Sequence, residues 1–216
     1  MSSTKVLLQP NKFYHIFNRG INSSDLFFEA DNYRYFLILY DKYIEPVADT
    51  FAWVLMKNHF HLLIKIHSKE DIISSFQHLK RFKNLQNNKE KEIDNLITKR
   101  IYQQFSNLFN AYTKAINKRF NRTGALFESN FHRKEIKHIH YLKNLVLYIH
   151  YNPVHHGFCN YPEDYIWSSY RSLISFNPTK TKRETVIGWF NDTANFKAQH
   201  EENSDFKMID EWLEVD

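Results

Sequence analysis

Two apolar runs separated by a two-residue break lie near the middle of the first half of the chain, at Thr50–Met56 and His59–Ile66. Side chains on a β-strand alternate between faces, and in the second run the even-numbered residues from Phe60 to Ile66 form one continuous apolar face. The pattern predicts a β-hairpin that turns at Lys57-Asn58. Such a hairpin needs other elements to cover its apolar face.

The opposite face of the second strand carries His59, His61 and Lys65, with Leu63 among them. Residues two apart on a strand lie about 7 Å apart at Cα, so both imidazoles can reach one cation. The spacing therefore indicates half of a metal site. A pair of partly exposed strand histidines is the alternative, and in either case we expect both rings to point away from the main core.

The remaining periodicity predicts one globular unit. We expect an α+β fold of the ferredoxin-like (split βαβ) type, in which an antiparallel sheet has helices on one face, an inserted helix and a C-terminal catalytic helix. The domains expected are a leader at 1–10, a main domain at 11–175 and an acidic C-terminal extension at 176–216. The predicted elements besides the hairpin are a strand at Lys12–Asn18, a helix at Asp31–Tyr43 capped by Asp31, a helix from Ser68 to about Leu85, a helix at Tyr102–Phe120, a strand at Ala125–Ile136 and a helix at Ile139–Asn152 ended by Pro153.

The charge is unevenly distributed along the chain. Lys80–Lys137 contains fourteen Lys and Arg against five acidic residues, whereas Trp189–Asp216 contains two Lys against eight acids. A basic middle interleaved with aromatic residues favours nucleic acid over a membrane surface as the partner, although a solvated lysine-rich helix gives the same pattern. The lone Cys159 and the lack of a long apolar segment predict a soluble cytoplasmic protein.

A second candidate group lies on the predicted last helix. Tyr148 and Asn152 are four residues apart and therefore share a helix face, which suits a nucleophile beside a metal ligand or substrate-orienting amide. Tyr141 has Leu145 at the equivalent position, and Tyr151 points elsewhere, so the spacing favours Tyr148. The alternative is a packed Tyr148 and an Asn152 that merely precedes a proline.

Five ordered motifs together resemble those of the REP-associated tyrosine transposases and related single-strand insertion-sequence transposases, a branch of the HUH endonucleases. The resemblance covers about Phe13 to Tyr170. The motifs are Tyr14–Gly20, Trp53–His61, Arg122–Phe127, Tyr148–Gly157 and Tyr165–Tyr170.

The resemblance implies that His59 and His61 are paired metal ligands, Asn152 is the third ligand and Tyr148 is the nucleophile. It implies a metal-dependent single-strand DNA endonuclease and strand transferase that forms a 5′-phosphotyrosine intermediate at sites flanking a hairpin. The cofactor expected is Mg²⁺, or Mn²⁺, which binds nitrogen ligands more tightly. A hairpin-binding or regulatory protein without turnover is the alternative; a metal-dependent hydrolase would need carboxylate ligands or a His-Glu-x-x-His helix that the sequence lacks.

The partners expected are single-stranded or hairpin DNA and no membrane, with a homodimer among the oligomeric states left open. Basic side chains near the motifs are candidates for contacts with the DNA backbone, which would make affinity fall with salt. They are Arg19, Lys114, Lys118, Arg119, Arg122, Arg133, Lys134 and Lys137.

Overall fold

The computed structural model describes residues 6–83, 85 and 89–202. Within these residues, four strands form one antiparallel sheet in the order β2-β3-β1-β4. The strands are β1 Phe13–Arg19, β2 Ala48–Leu55, β3 His59–Ile66 and β4 His132–Ile136. The helices are α1 Ala30–Ile44, α2 Lys69–Ser75, α3 Lys80–Lys83, α4 Glu90–Arg119, α5 Ile139–His155, α6 Tyr170–Ile174, α7 Arg183–Trp189 and α8 Thr193–Glu201.

The predicted α+β class and split βαβ order are confirmed. Helices α1 and α4 pack on the face of the sheet that carries Phe60, Leu62, Ile64 and Ile66, all of them buried in the larger hydrophobic core. Phe36 of α1 joins the layers, with its ring 5.5 Å from that of Phe60. The alternation of β3 therefore placed its main core face correctly.

The other face of the sheet has a core of its own. Leu63 of β3 and Val54 of β2 pack there against α5, α7 and α8. The histidines of β3 share this face, so they point away from the main core, as expected. They nevertheless lie beneath a covering helix, and His61 is only 8% exposed. The catalytic helix predicted from the sequence is α5.

Several element boundaries differ from those expected. The predicted strand Ala125–Ile136 is reduced to β4, because Asn130 adopts a left-handed backbone angle (φ +71°) that interrupts extended structure. Ser68 caps α2 as predicted, but α1 begins at Ala30 and its cap position is Glu29 rather than Asp31.

The predicted helix from Ser68 to about Leu85 is divided into α2 and α3, and two further differences lengthen helices. Helix α4 begins at Glu90 rather than Tyr102, and α5 continues past Pro153 to His155. Proline lacks the amide N–H that would donate to the carbonyl four residues earlier, but this loss does not end α5 at Pro153. The helix ends instead at Gly157 (φ +70°), whose N–H donates to Val154 O while Phe158 N–H donates to Pro153 O, a Schellman motif.

The chain's two ends pack on the body where they are described. Leu8, from the predicted leader, is fully buried, and the Tyr14 hydroxyl donates to Leu7 O at 2.8 Å. The predicted extension contributes α7 and α8, while residues 203–216, including Trp212 and most of the acidic side chains, lie outside the described residues. In the described part of the chain, the helices fall short of the length and apolarity needed to cross a membrane.

Candidate active site

An open cleft of about 600 Å³ lies beside the second face of the sheet, at the end where β3 begins. The strands β1 and β3, the segment before β4 and helix α5 all contribute side chains to it, so sequence segments more than a hundred residues apart meet there. The lining residues are His15, Phe17, Asn18, Arg19, Ser23, Asn58, His59, Phe60, His61, Glu128, His132, Tyr148 and His156.

The two histidines of β3 sit side by side in this cleft, with ring centroids 5.2 Å apart and planes at 87°. Burial, together with the nearby His156, lowers the pKa of His59 to about 4. Burial also lowers the pKa of His61 well below its ordinary value, with His15 and His59 adding to the effect. Both rings are therefore neutral near pH 7, the form in which imidazole binds a metal ion.

His59 lies between the amide oxygens of two asparagines. A neutral imidazole carries one ring proton, yet both of its nitrogens face amide oxygens: Nδ1 lies 2.8 Å from Asn58 Oδ1 and Nε2 lies 3.4 Å from Asn152 Oδ1. The amide of Asn152 is oriented by its Nδ2, which donates to Tyr148 O at 3.3 Å.

With the proton of His59 on Nδ1, where the contact is shorter, Nε2 and Asn152 Oδ1 would face each other as two lone pairs. A cation between them would relieve this opposition. Neighbouring ligands around a six-coordinate Mg²⁺ ion, each at about 2.1 Å from it, lie about 3 Å apart. The pair therefore fits two ligand positions of such an ion.

Carboxylates are not part of this donor set. Among residues 6–83, 85 and 89–202, no group of three or more His, Cys, Asp or Glu side chains is arranged to hold a metal ion. A cation site here depends on the carboxamide of Asn152, which is 2% exposed, as its third protein ligand. An N,N,O set of this kind binds Mn²⁺ more tightly than Mg²⁺.

Tyr148 projects from α5 into the same cleft. Its ring stands edge-on to His61 and to His15, with centroid distances of 5.6 and 6.3 Å. The other two tyrosines weighed on the sequence lie elsewhere: Tyr141 is 41% exposed outside the cleft, and the buried hydroxyl of Tyr151 donates to His200 O. The structure thus places Tyr148 in the same cleft as His59 and His61 within one chain.

Helix α5 is held in register by a buried polar network on its far side. His150 Nε2 lies 2.8 Å from Ser169 Oγ, and this oxygen also accepts a hydrogen bond from Trp53 N. The other ring nitrogen of His150 lies 2.9 Å from His200 Nε2 on α8. Helix α8, from the predicted extension, thereby helps to fix the position of Tyr148 in the cleft and of Asn152 beside His59.

Sequence reasoning missed several residues of the cleft, chiefly those on β1. His15 Nε2 lies 3.0 Å from His61 Nδ1, and Phe17 stacks on His132 at 4.9 Å. The alternation of Phe13, His15 and Phe17 along β1 could have assigned them to one face, but their partners follow from strand register, which the sequence does not display.

The predicted DNA-contact residues divide between different surroundings. Arg19 lines the cleft and pairs with Glu128 at 2.8 Å, and Lys134 lies within β4 on the face that carries His132. Lys114, Lys118 and Arg119 are exposed on the last turns of α4, Arg122 follows them beside the ring of Phe28, and Lys137 is exposed after β4.

Arg133 departs from the others in this set because it is 8% exposed. Its Nε donates to Val6 O at 2.5 Å and its NH1 donates to Phe131 O at 3.1 Å. The guanidinium is thus occupied by backbone carbonyls and by the rings of Tyr102 and Phe131. We therefore assign Arg133 a structural role and leave it out of the proposed DNA contacts.

No protein-family model and no curated protein sequence matches this chain. Among solved structures, the fold is similar to that of a REP-associated tyrosine transposase bound to a REP hairpin, with a TM-score of 0.53 and 14% sequence identity. The match covers 81% of this chain and 86% of that chain. At this identity, the similarity is one of fold.

Proposed function

We propose that this protein is a metal-dependent single-strand DNA endonuclease and strand transferase, transposase-like in type, that uses Tyr148 to form a 5′-phosphotyrosine beside a hairpin. The observation that carries the proposal is the meeting of Tyr148 with His61 in one cleft, at a ring-centroid distance of 5.6 Å. The fold shared with a hairpin-bound transposase supports it.

Cleavage of a DNA strand by a tyrosine requires a nucleophile, a polarised phosphate and a leaving oxygen. In the proposed step, Tyr148 Oη loses its proton and bonds to phosphorus, the P–O3′ bond breaks, and the departing 3′ oxygen takes up a proton. One diester replaces another, so the strand can be rejoined by the reverse attack. Because a phenol has a reference pKa of about 10, it needs assistance near neutral pH.

His59, His61 and Asn152 would hold the cation, Mg²⁺ or Mn²⁺. When bound, it would polarise the scissile phosphate and neutralise the charge that develops during transfer. The protein's own contribution is positional. The strand β3 fixes both imidazoles, while α5 fixes Asn152 and Tyr148 one helical turn apart, so that the ligands and the nucleophile share one rigid frame.

Basic residues around the cleft suit the backbone of a single strand. Arg19 lines the cleft itself, and Arg119 and Arg122 lie against the loop that follows β1, through the Glu29 carboxylate and the Phe28 ring. We propose these as phosphate contacts, together with Lys114, Lys118, Lys134 and Lys137. Affinity for DNA should then fall with increasing salt, and each contact removed should flatten that dependence.

The test is an incubation of the protein with an end-labelled hairpin oligonucleotide that carries unpaired flanks, in Mn²⁺ or Mg²⁺. A covalent protein–DNA band that needs the cation and disappears in Tyr148→Phe supports the proposal. Tyr141→Phe is the matched control, because it removes a hydroxyl from the same helix outside the cleft and should leave the band in place.

The same assay separates the alternative of a catalytically silent hairpin-binding protein. Retarded migration of the hairpin without any covalent band in the wild type would favour that alternative. If hairpins of varied stem and flank give no retarded migration and no covalent band, both functions are contradicted.

A further inference from the structure

A buried histidine on β1 has hydrogen-bonding needs that its surroundings meet only in part. His15 is 0% exposed, and its Nε2 lies 3.0 Å from His61 Nδ1. Its other nitrogen, Nδ1, is buried and lacks a hydrogen-bond partner in the part of the chain that the structure describes. Among the described residues, the contact with His61 is thus the only hydrogen-bonding contact of this ring.

The sheet holds the two rings in a fixed relation. In the β1–β3 register, Phe17 lies opposite His61 and His15 lies opposite Leu63, so His15 reaches His61 diagonally across the strands. Their planes are nearly parallel, at 10°, with centroids 5.1 Å apart. His15 also stacks on Phe17 at 4.8 Å, which leaves its ring little freedom to turn.

This contact decides which nitrogen of His61 can bind a cation. A neutral imidazole donates through one nitrogen and accepts through the other. If His61 keeps its proton on Nδ1 and donates it to His15 Nε2, then its Nε2 presents a lone pair to the cleft. If the proton sits on Nε2 instead, the ring cannot bind metal through that atom. Partners of this kind commonly fix the tautomer of metal-binding histidines.

We infer that His15 is a positioning residue for His61: it accepts the Nδ1 proton of His61 and so directs Nε2 toward the cation site. The inference rests on the proposed function, and it extends to a residue that takes no direct part in binding or attack. This role also accounts for a histidine at position 15. A phenylalanine there would stack equally well and would bury no unsatisfied nitrogen.

Two substitutions separate hydrogen bonding from packing. His15→Phe keeps an aromatic ring and removes the acceptor, whereas His15→Gln keeps an acceptor oxygen. His67→Phe is the matched control, because His67 also has a buried Nδ1 without a partner in the described residues but lies beyond the far end of β3.

Mn²⁺ affinity, measured by electron paramagnetic resonance of the unbound ion, should fall about 10- to 100-fold in His15→Phe. It should recover at least in part in His15→Gln and stay unchanged in His67→Phe. The melting temperature of His15→Phe should not fall, a result that a purely structural histidine would not give. In the Mg²⁺-loaded wild type, long-range ¹H–¹⁵N correlation spectra should show the His61 proton on Nδ1.

The inference is overturned by wild-type Mn²⁺ affinity in His15→Phe, by equal losses in His15→Phe and His15→Gln, or by a His61 proton on Nε2 in the Mg²⁺-loaded protein. A wild type that binds no Mn²⁺ overturns it too. The covalent-adduct assay then tells whether the proposed function falls with it, because an adduct formed without added cation would retain Tyr148 chemistry and remove only the metal site.

Discussion

Buried neutral histidines should make this protein unstable in mild acid. Burial lowers the pKa of His15 to about 3, of His59 to about 4 and of His200 to about 4. His61 and His150 are shifted in the same direction, also by burial. In the unfolded chain each ring returns to a pKa of about 6.5.

The direction of the effect follows from proton counting. Below pH 6.5 the unfolded chain binds protons that the folded protein excludes, so the free energy of unfolding falls as pH falls, until the folded-state pKa is reached. Linkage gives each of His15, His59 and His200 a loss of about 1.9 kcal/mol between pH 7 and pH 5. Together they remove about 6 kcal/mol, a large part of the 5–15 kcal/mol typical of a folded domain.

The pH dependence of the free energy of unfolding can be measured between pH 7.5 and pH 5 by urea unfolding followed by circular dichroism, in buffers containing a chelator. We expect the unfolding free energy to fall by about 4 kcal/mol per pH unit near pH 5, from these three rings alone. His15→Phe should be about 1.9 kcal/mol more stable relative to the wild type at pH 5 than at pH 7, while His140→Gln, at an exposed position on α5, supplies the control. A slope below about 1 kcal/mol per pH unit would refute the assignment of these rings as buried and neutral.

Three further perturbations test other parts of the structure. Gly20→Ala should lower stability by more than about 1 kcal/mol, seen as a lower melting temperature, because a Cβ there would overlap the Ser24 carbonyl oxygen; an unchanged melting temperature would contradict that close approach. Phe196→Ala should lower the free energy of unfolding in urea by about 3–5 kcal/mol, because the fully buried ring has its centroid 5.0 Å from that of Phe190 and 5.5 Å from that of Tyr170. A loss below about 1 kcal/mol would mean that α8 is not part of the core. Asn152→Asp should raise Mg²⁺ affinity about tenfold or more in titration calorimetry, because it supplies the anionic oxygen that Mg²⁺ prefers. Asn152→Leu should abolish Mg²⁺ binding. Equal Mg²⁺ affinities in the two variants would show that residue 152 is not part of the cation site.

Local pattern was enough for much of the sheet and its larger core. The alternation of β3 predicted which residues face α1 and α4, because a period of two fixes the face of every side chain once one face is buried. The spacing of Tyr148 and Asn152 likewise predicted that they share a helix face, since a helical turn brings residues four apart together. Such features depend on contacts within one element.

Features that depend on strand register or on burial by distant segments could not be predicted from the local sequence pattern. The contact of His15 with His61 follows from how β1 pairs with β3, and the contact of His150 with His200 follows from the return of α8 onto α5. Arg133 looked like a cation for DNA because its charge is visible in the sequence, whereas the two carbonyls that bind it come from Val6 and Phe131. The predicted end of α5 at Pro153 was wrong because the helix is terminated by the hydrogen bonds of Gly157 and Phe158, four and five residues later.

The pairing of Tyr148 with His61 in one polypeptide also sets the stoichiometry of the proposed reaction. Helix α5 is tied down by α8 and by Ser169, so lending its tyrosine to a neighbouring molecule would mean breaking a buried network. In the proposed mechanism each chain would then be complete by itself: dilution should leave the yield per molecule constant, and mixing His61→Ala with Tyr148→Phe should not restore an adduct that neither forms by itself.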